Sequence, residues 1–518
     1  MLIYNVSMNK ENMNKPNTPL NPVYEQRPQR KLSMSTLWVI STLVLCLAFA
    51  AALAPQAYAQ GRGENSESAQ YTSLIRTVFD FIQRHHVEDV ESRILFEGAM
   101  TGMFNALEDP YSSFLPESEM NSLGDTTQGS FGGVGLYIAP KSSAPRADGR
   151  PNFLEVAAPM EGTPGWRAGI NSGDFIIQVN GEATDVLSSD EAVARLRGTP
   201  GTDVQLLIRR SETIEFPVTL TREVIEVPTV RYAMIGNTGY LRLLTFTPHT
   251  LERSREAINS FTQAGYQSLI LDLRNNFGGR LDSAVGISNL FSEGELVVST
   301  RSRTEQSQAF YARARALVPK TIPIVVLINR GSASASEIVA GALKDWGRAF
   351  LVGERTFGKG SVQQVLPLSN GSGFKLTTAR YFTPSNANID LVGIPPDLEV
   401  RSPDFSNADT DELSVLFNSG RIADYIKGNP EPTSAEIDAF VSVLSRDFKL
   451  DTALLRRLIR NEKNRRTIVV YDLEDDVQLQ EAVRIFTEGR FQTLMENTKT
   501  LRTLQEETAQ EESFTLAS

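Results

Sequence analysis

Hydrophobic and polar positions follow a mixed pattern over residues 226–403 of the chain. Short apolar runs that suit buried strands, such as Ser268–Leu273 and Ile324–Ile328, alternate with segments of helical periodicity, such as Thr250–Ala264 and Leu281–Phe291. Buried strands that alternate with amphipathic helices are typical of a layered α/β fold. This stretch therefore predicts an α/β core.

The preceding residues, 123–225, differ in composition: they contain many glycines and short runs whose residues favour β-strands. Val204–Arg209 and Ile214–Leu220 predict strands, and the turn Asn180-Gly181 predicts the end of a third. A segment of about one hundred residues has the size of an ordinary domain. We therefore expect a compact β-rich domain in front of the core.

Both flanks of these two domains show helical spacing of apolar residues. In residues 61–122 the helical pattern ends at Pro110, and residues 404–518 are charged and mostly helical, with Leu454 and Leu458 on one face. Helical regions at both ends could serve a homo-oligomer. The fold class expected is a multidomain α/β protein with helical flanks.

The first 60 residues resemble a targeting segment. Basic residues between positions 27 and 31 precede an apolar run over residues 37–54, and the small residues of Ala57-Tyr58-Ala59 follow it. This order is typical of a secretory signal peptide, but the apolar run is also just long enough for a membrane anchor. Both alternatives place the bulk of the protein outside the cytoplasm, in the periplasm or on the outer face of the cytoplasmic membrane.

Composition excludes several classes of function. A net charge of -11 over 518 residues argues against a nucleic-acid-binding protein, which needs a basic face. The single cysteine, Cys46, lies inside the apolar run and would be lost with a cleaved signal peptide. A mature chain without thiols excludes disulfides, thiol catalysis and cysteine-bound zinc.

A cluster of serines directly follows the apolar strand at Ile324–Ile328. Ser332, Ser334 and Ser336 stand at the start of the next helical segment. An α/β fold can expose a nucleophile at this place, where the N–H groups of the helix start can hold an oxyanion. Serines also cap helices, and the residues alone do not choose among the three.

Histidine, the usual base for a catalytic serine, is scarce in this chain. The only histidines, at positions 85, 86 and 249, are distant in sequence, so Lys359 in the turn Gly358-Lys359-Gly360 is the candidate base. Burial lowers the pKa of an amine, and a neutral lysine can take a proton from serine. Gln363 could orient that amine, although most loop lysines are only solvated.

Five sequence motifs, in order along residues 70–400, carry a family resemblance. They are Leu271-Asp272-Leu273-Arg274, Ser332-Ala333-Ser334-Ala335-Ser336-Glu337, Gly353-Glu354-Arg355-Thr356-Phe357-Gly358-Lys359-Gly360, Thr378-Ala379-Arg380-Tyr381-Phe382-Thr383-Pro384 and Gly393-Ile394-Pro395-Pro396-Asp397. The chain resembles the carboxyl-terminal processing proteases, also called tail-specific proteases, whose core is similar in outline to the crotonase and Clp-protease folds.

The resemblance implies a role for each candidate residue. It makes Ser334 the nucleophile, Lys359 the general base and Gln363 the group that holds the lysine. The implied oxyanion donors are the backbone N–H groups of Ala335 and Gly278. No metal or organic cofactor is expected.

Three further positions bear on this resemblance. Phe277 stands where the family usually has proline, which affects the loop that carries Gly278. Asp345 matches a position implicated in the family, although an ordinary place on a helix surface explains it equally well. Arg197 resembles an arginine that couples the neighbouring domain to the active site in some relatives.

The glycine-rich domain resembles a PDZ domain. Gly133, Val134, Gly135 and Leu136 would form the loop that receives the terminal carboxylate of a peptide, which then adds as a strand beside Leu136–Ile138. An ordinary glycine turn is the alternative interpretation. The expected partners are proteins or peptides with free C-termini.

These observations predict an exported serine endopeptidase that cleaves near the C-terminus of its substrates and is guided by a PDZ domain. One alternative is an exported PDZ scaffold with an inactive protease core. Another is a crotonase-type enzyme that acts on acyl-thioesters, which the export pattern disfavours because coenzyme A is a cytoplasmic cofactor. Intact Ser334, Lys359 and Gln363 favour the protease.

Overall fold

The computed structural model describes residues 66–139, 152–210, 214–401, 407–464 and 469–507. The predicted signal or anchor segment, residues 37–54, lies outside these ranges. Within them, no helix combines the length and the apolar character needed to cross a membrane.

The helices are α1 (Ser66–His85), α2 (Ser92–Asn105), α3 (Glu117–Gln128), α4 (Pro164–Arg167), α5 (Ser189–Leu196), α6 (Thr250–Ala264), α7 (Leu281–Ser288), α8 (Ala335–Asp345), α9 (Asn407–Asn418), α10 (Arg421–Gly428), α11 (Ser434–Asp447), α12 (Thr452–Lys463), α13 (Val477–Thr487) and α14 (Phe491–Met495). The strands up to residue 226 are β1 (Ser113–Leu115), β2 (Ser130–Gly133), β3 (Leu136–Ile138), β4 (Leu154–Pro159), β5 (Phe175–Val179), β6 (Glu182–Ala183), β7 (Asp203–Arg210), β8 (Ile214–Thr221) and β9 (Glu223–Glu226). The later strands are β10 (Val230–Ile235), β11 (Thr238–Leu243), β12 (Ser268–Asp272), β13 (Leu296–Ser302), β14 (Gln308–Tyr311), β15 (Ile324–Ile328), β16 (Phe350–Gly353), β17 (Ser361–Pro367), β18 (Gly373–Phe382) and β19 (Leu398–Glu399).

The chain divides into two compact units after Phe96. In the first unit, helix α1 carries Tyr71, Leu74, Val78 and Phe81 at helical spacing, and each of these side chains is more than half exposed. An apolar stripe of this kind normally faces a partner surface.

The second unit contains the predicted α/β core. Its main sheet has the strand order β10-β11-β12-β15-β16-β19, and all neighbouring strands are parallel except β10 and β11. The runs Ser268–Asp272 and Ile324–Ile328 are buried at every position. Continuous burial is what a parallel sheet covered on both faces requires.

Helices cover both faces of this sheet. Leu271 and Val326 pack in the same cluster as α6, α7 and α8, whereas Ile270 and Val325 pack with residues of α13. Successive strand residues point to opposite faces, so adjacent positions serve two separate apolar layers. Helix α13 is therefore part of the α/β core, although it comes from the helical C-terminal region.

The β-rich domain has its own core and its own sheet. The strand order is β3-β4-β5-β7-β8, with β6 paired to β5, and β2 pairs separately with β9. Leu154, Ile176, Val204 and Ile208 are fully buried between this sheet and α5. Strand β3, which begins at Leu136, forms one edge of the sheet.

A second sheet of the core joins chain segments from both sides of the β-rich domain. Its order is β1-β18-β13-β14, with β17 also paired to β18. Strand β1 precedes the β-rich domain in sequence and β18 follows it. The helices α9 to α12 form a separate cluster around Leu444, Leu455 and Ile459.

Candidate active site

Ser334 lies where strand β15 leads into helix α8. Its backbone has φ +56° and ψ −111°, a combination that a residue with a Cβ rarely adopts. The following ten residues, Ala335 to Lys344, are all buried, so the helix start is held firmly. The serine itself retains 9% of its surface.

The structure distinguishes the three serines that the sequence could not. Ser332 and Ser336 are fully buried, and their hydroxyls donate to the carbonyl oxygens of Leu273 at 2.8 Å and Asn276 at 2.7 Å. These two serines therefore fasten the turn to the neighbouring loop. Of the three serines, Ser334 keeps the most access to solvent.

Glu337 joins the serine turn to the lysine turn. Its Oε2 accepts the backbone N–H of Ser334 at 2.8 Å and that of Lys359 at 2.9 Å. Its Oε1 accepts the N–H of Gly358 at 2.7 Å and the hydroxyl of Thr356 at 2.5 Å. One fully buried carboxylate thus fixes both candidate catalytic residues through their backbones.

Sequence reasoning assigned no role to Glu337, although a signal was present. Serine followed by glutamate three positions later is the spacing of a helix capping box, in which the glutamate reaches back to the N–H of the cap residue. Burial raises the pKa of Glu337, while the hydrogen bonds from Thr356, Gly358, Ser334 and Lys359 act in the opposite direction.

Lys359 occupies a tight glycine turn after strand β16. A Cβ at Gly360 would lie 2.2 Å from the backbone nitrogen of Asp390, so only glycine fits there. Burial lowers the pKa of Lys359 from its ordinary value, and the charge of Lys375 lowers it further. The direction of this shift is the one that a lysine base requires.

Gln363 lies near the lysine but is engaged elsewhere. Its Nε2 donates to Ser361 Oγ at 2.8 Å and to Thr377 Oγ1 at 3.3 Å. Among the described contacts, no hydrogen bond joins Lys359 Nζ to the side chain of Gln363 or to Ser334 Oγ. The side chain of Gln363 is therefore bound to Ser361 and Thr377.

The loop of the predicted oxyanion donor lies against Ser334. Gly278 has φ +102°, and a Cβ at this position would be 2.9 Å from both Ser334 Cβ and the nitrogen of Ala335. The N–H of Gly278 donates to Asn276 Oδ1 at 2.9 Å. The two predicted donors are therefore adjacent, and one of them is occupied by a side chain of its own loop.

The unusual Phe277 does not disturb this loop. Its side chain is 79% exposed. The loop is held instead by Phe246, whose N–H donates to Gly278 O at 3.0 Å and whose carbonyl accepts the N–H of Arg280 at 2.8 Å. Proline is therefore not needed at position 277 for Gly278 to reach its place.

A buried ion cluster anchors the first residue of this loop. The guanidinium of Arg274 binds Asp272 at 2.7 Å and Asp476, the N-cap of α13, at 2.6 Å. Burial alone would raise the pKa of Asp272, but Arg274, Arg242 and the hydroxyl of Tyr240 together lower it. The C-terminal region thus contributes directly to the position of the oxyanion loop.

Asp345 is not brought to the site. It lies at the opposite end of α8 from Ser334, where its carboxylate accepts the N–H groups of Ser385 at 2.9 Å and Leu501 at 2.8 Å. Its contacts differ from both interpretations offered by the sequence, since it neither touches a catalytic group nor stands free on a helix surface. It fastens the last described helical segment to the core.

The predicted peptide-binding loop has the topology that strand addition needs. Val134 is buried, Gly135 has φ +69°, and Leu136 opens the edge strand β3. The guanidinium of Arg197 lies 4.6 Å over the ring of Phe131, which belongs to the strand that leads into this loop. Arg197 is therefore near the peptide-binding loop.

A large cavity of about 1170 Å³ lies elsewhere. Its lining includes Thr238 and Ser268, the first residues of β11 and β12, and Pro323, which directly precedes β15. These residues lie at the N-terminal ends of the strands, whereas Ser334 follows the C-terminal end of β15. The size of a cavity therefore does not locate the candidate site. Within the described ranges, no group of three His, Cys, Asp or Glu side chains could hold a metal ion.

A strained serine and a partly buried lysine share one buried backbone acceptor, on an α/β core that follows a PDZ-like domain. These features are typical of the class of PDZ-containing serine peptidases. Sequence profiles agree with this class. The profile of peptidase family S41 matches residues 237–400 and that of the PDZ domain matches residues 155–210. Residues 47–118 match the N-terminal domain of the activating protease CtpB.

Individual relatives identify the family. The carboxy-terminal-processing protease of Bartonella bacilliformis is 35% identical over 417 residues, which cover 78% of this chain and 92% of the relative. Carboxy-terminal processing protease CtpA of Bacillus subtilis is 32% identical over 355 residues, 68% of this chain and 74% of its own. The solved photosystem II D1 C-terminal processing protease aligns with 63% of this chain and 92% of its own at 29% identity and a TM-score of 0.39. The chain belongs to the carboxyl-terminal processing proteases, which are serine peptidases.

Proposed function

We propose that this protein is an exported endopeptidase that cleaves protein substrates near their C-termini, with Ser334 as nucleophile and Lys359 as general base. The observation that carries the assignment is the pair of hydrogen bonds from Ser334 N and Lys359 N to one oxygen of Glu337. A shared buried acceptor keeps the two turns in a fixed relation. Fixed relative placement of nucleophile and base is the first requirement of this chemistry.

The reaction follows from these positions. The neutral amine of Lys359 takes the proton of Ser334 as the hydroxyl oxygen attacks the peptide carbonyl carbon. The resulting ammonium gives that proton to the amine of the leaving peptide, and the C–N bond breaks. The same amine then takes a proton from a water molecule, whose oxygen attacks the acyl carbon. The bond from that carbon to Ser334 Oγ breaks, and the ammonium returns its proton to Oγ, which regenerates the serine and the neutral lysine.

The charge on the carbonyl oxygen would be held by the N–H groups of Ala335 and Gly278. Gly278 N–H is bound to Asn276 Oδ1 in this structure, so the substrate oxygen must share or replace that acceptor.

The PDZ domain would present the substrate. Among the described strands β3 lies at the edge of its sheet, so a peptide strand could pair beside Leu136–Ile138, and Gly133, Val134 and Gly135 would receive the terminal carboxylate. Amidation of the C-terminus of a good substrate should then slow its cleavage. An equal rate for the amidated and free substrates would argue against capture of the carboxylate.

Export rests on the targeting pattern of the first 60 residues. N-terminal sequencing of the protein recovered from a periplasmic fraction would distinguish cleavage near Ala59 from an anchor that retains residues 37–54. Recovery of the full chain in the cytoplasm would contradict both forms of the proposal.

Self-association is proposed from helix α1. Tyr71, Leu74, Val78 and Phe81 form its exposed apolar stripe, which a second copy could cover. Sedimentation analysis of Phe81→Glu and of Arg76→Glu on the same helix would test this. Only the Phe81 variant should lower the mass of the particle.

The central test is the loss of activity in two variants. Ser334→Ala and Lys359→Ala should each abolish cleavage of an unfolded protein such as casein, with an unchanged far-UV circular dichroism spectrum. An inactive wild-type protein that still binds C-terminal peptides would favour the scaffold alternative. Full activity of either variant would refute the assigned roles.

A further inference from the structure

The chain segment just before the PDZ domain reaches the catalytic lysine. Strand β1 pairs with β18 in the register Ser113 to Lys375 and Phe114 to Phe374. Ser112 Oγ accepts the N–H of Thr377 at 2.9 Å. Because β18 also pairs with β17, which begins two residues after Lys359, the segment at 109–115 is fixed close to the base.

Tyr111 lies against the lysine amine. The Nζ of Lys359 is 4.9 Å from the centroid of the Tyr111 ring, and the tyrosine is itself partly buried. The face of an aromatic ring attracts a cation at this distance and also occupies space that water would otherwise fill. The ring therefore favours the ammonium form by direct contact and the neutral amine by excluding water.

Asp109 fixes the turn and adds a negative charge. Its carboxylate accepts the N–H of Tyr111 at 3.0 Å and the hydroxyl of Ser112 at 2.5 Å, and it is also hydrogen-bonded by Thr377. Thr377 Oγ1 in turn accepts from Gln363 Nε2 at 3.3 Å. A short network thus connects Asp109 with the glutamine predicted to hold the base.

We propose that Asp109 and Tyr111 are positioning residues for the Lys359 amine: the ring forms one wall of its site, and the Asp109 carboxylate holds the turn that carries the ring. The proposal rests on the proposed role of Lys359 as the base. It makes the segment before the PDZ domain part of the catalytic machinery and not only a connection to it.

Several charges act on this amine from the elements packed around it. Burial and Lys375 on β18 lower the pKa of Lys359, whereas Asp109 and Glu337 raise it. Tyr111 stays protonated because burial and the charges of Asp390, Glu337 and Asp109 raise its pKa. Asp109 stays ionised because its hydrogen bonds from Ser112, Thr377 and Tyr111 outweigh burial and lower its pKa.

The test is the pH dependence of kcat/KM for a peptide substrate. The acid limb of this profile is its low-pH side, where kcat/KM falls as Lys359 becomes protonated. In Asp109→Asn this limb should move to lower pH by about one unit, because loss of a nearby negative charge lowers the pKa of Lys359. At a fixed pH on the acid side, the ratio of kcat/KM to its plateau value should then be about tenfold higher in this variant than in the wild type. Glu108→Gln, which removes an exposed charge one residue earlier, is the matched control and should leave the acid limb in place.

Two tyrosine variants should move the limb in opposite directions. Tyr111→Leu keeps a bulky apolar wall but loses the aromatic face, so the limb should fall by about half a unit. Tyr111→Ala opens the amine to water, so the limb should rise. These variants test the proposal even if Asp109→Asn fails to fold.

The outcomes separate this proposal from the one it depends on. If Lys359→Ala remains active, the base assignment itself is wrong. If Lys359→Ala is inactive but the acid limbs of the Asp109 and Tyr111 variants match wild type, Lys359 remains the base and the positioning role is refuted. Opposite shifts in Tyr111→Leu and Tyr111→Ala would support it.

Discussion

The backbone nitrogens of Ser334 and Lys359 share one acceptor, Glu337 Oε2, at 2.8 and 2.9 Å. The two residues are 25 positions apart in sequence and lie in different turns, yet a single buried atom fixes both. Ser334 has an unfavourable backbone conformation, and the hydrogen bond to Glu337 offsets part of its cost. The relative position of the proposed nucleophile and base therefore depends on a side chain to which the proposed mechanism gives no part in the bond changes.

Replacement of Glu337 should reduce both stability and activity. Glu337→Ala leaves several buried donors unpaired, and we expect a loss of about 3 kcal/mol or more in the free energy of unfolding, with activity reduced at least about a hundredfold. Glu337→Gln keeps one acceptor oxygen and should cost about 1 to 3 kcal/mol. Urea denaturation and kcat/KM measure the two effects; wild-type values for Glu337→Ala would contradict the role of this carboxylate.

Activity should rise with pH through the pKa of Lys359. Burial and Lys375 lower this pKa below the ordinary value of 10.5, and only the neutral amine can accept the serine proton. Between the lowered pKa and 10.5 the unfolded chain binds more protons at this lysine, so stability should also rise with pH there. Denaturation at several pH values should be compared for the wild type and Lys359→Met. In the variant, the free energy of unfolding should no longer show the part of its rise with pH that comes from Lys359.

Adjacent positions in the oxyanion loop should respond very differently. Gly278→Ala places a Cβ 2.8 Å from Ala333 O at a φ of +102°, so we expect a loss of about 2 to 4 kcal/mol in stability and at least about a hundredfold in kcat. Phe277→Ala removes an exposed side chain and should change stability by less than about 0.5 kcal/mol. Thermal unfolding and steady-state kinetics on both variants test this difference. Equal losses of stability and of kcat in the two variants would contradict the prediction.

Helix α13 should be essential for folding of the core. Ile485 is fully buried against the main sheet, so Ile485→Asp places an unpaired charge in an apolar layer and should prevent folding. Arg484→Asp changes a side chain that is 55% exposed on the same helix and should leave the fold intact. Circular dichroism and limited proteolysis compare the two; a folded Ile485→Asp protein would show that the helix is dispensable.

The sequence predicted the elements of the core well. Helix α6 runs over the predicted range, and the strands at Ser268 and Ile324 begin where their apolar runs begin. These elements are determined by local periodicity, which a single sequence contains. The family resemblance implied Ser334 among the three serines. The structure adds that the hydroxyls of Ser332 and Ser336 form buried hydrogen bonds, which local periodicity does not predict.

Long-range contacts could not be predicted in the same way. Arg274 and Asp476 are separated by 202 positions, and no local pattern connects them. Tyr111 and Lys359 meet only because β1 pairs with β18 across the inserted domain. The engagement of Gly278 N–H by Asn276 depends on one backbone orientation, which residue types do not determine.

The position of α13 on the second face of the main sheet also bears on the order in which the protein is made. Asp476 and the apolar residues of α13 are synthesised after every residue assigned to catalysis, and the oxyanion loop is held partly by Arg274 bound to Asp476. Domains fold as units once their residues are available. We therefore expect a growing chain to remain without proteolytic activity until helix α13 has been translated.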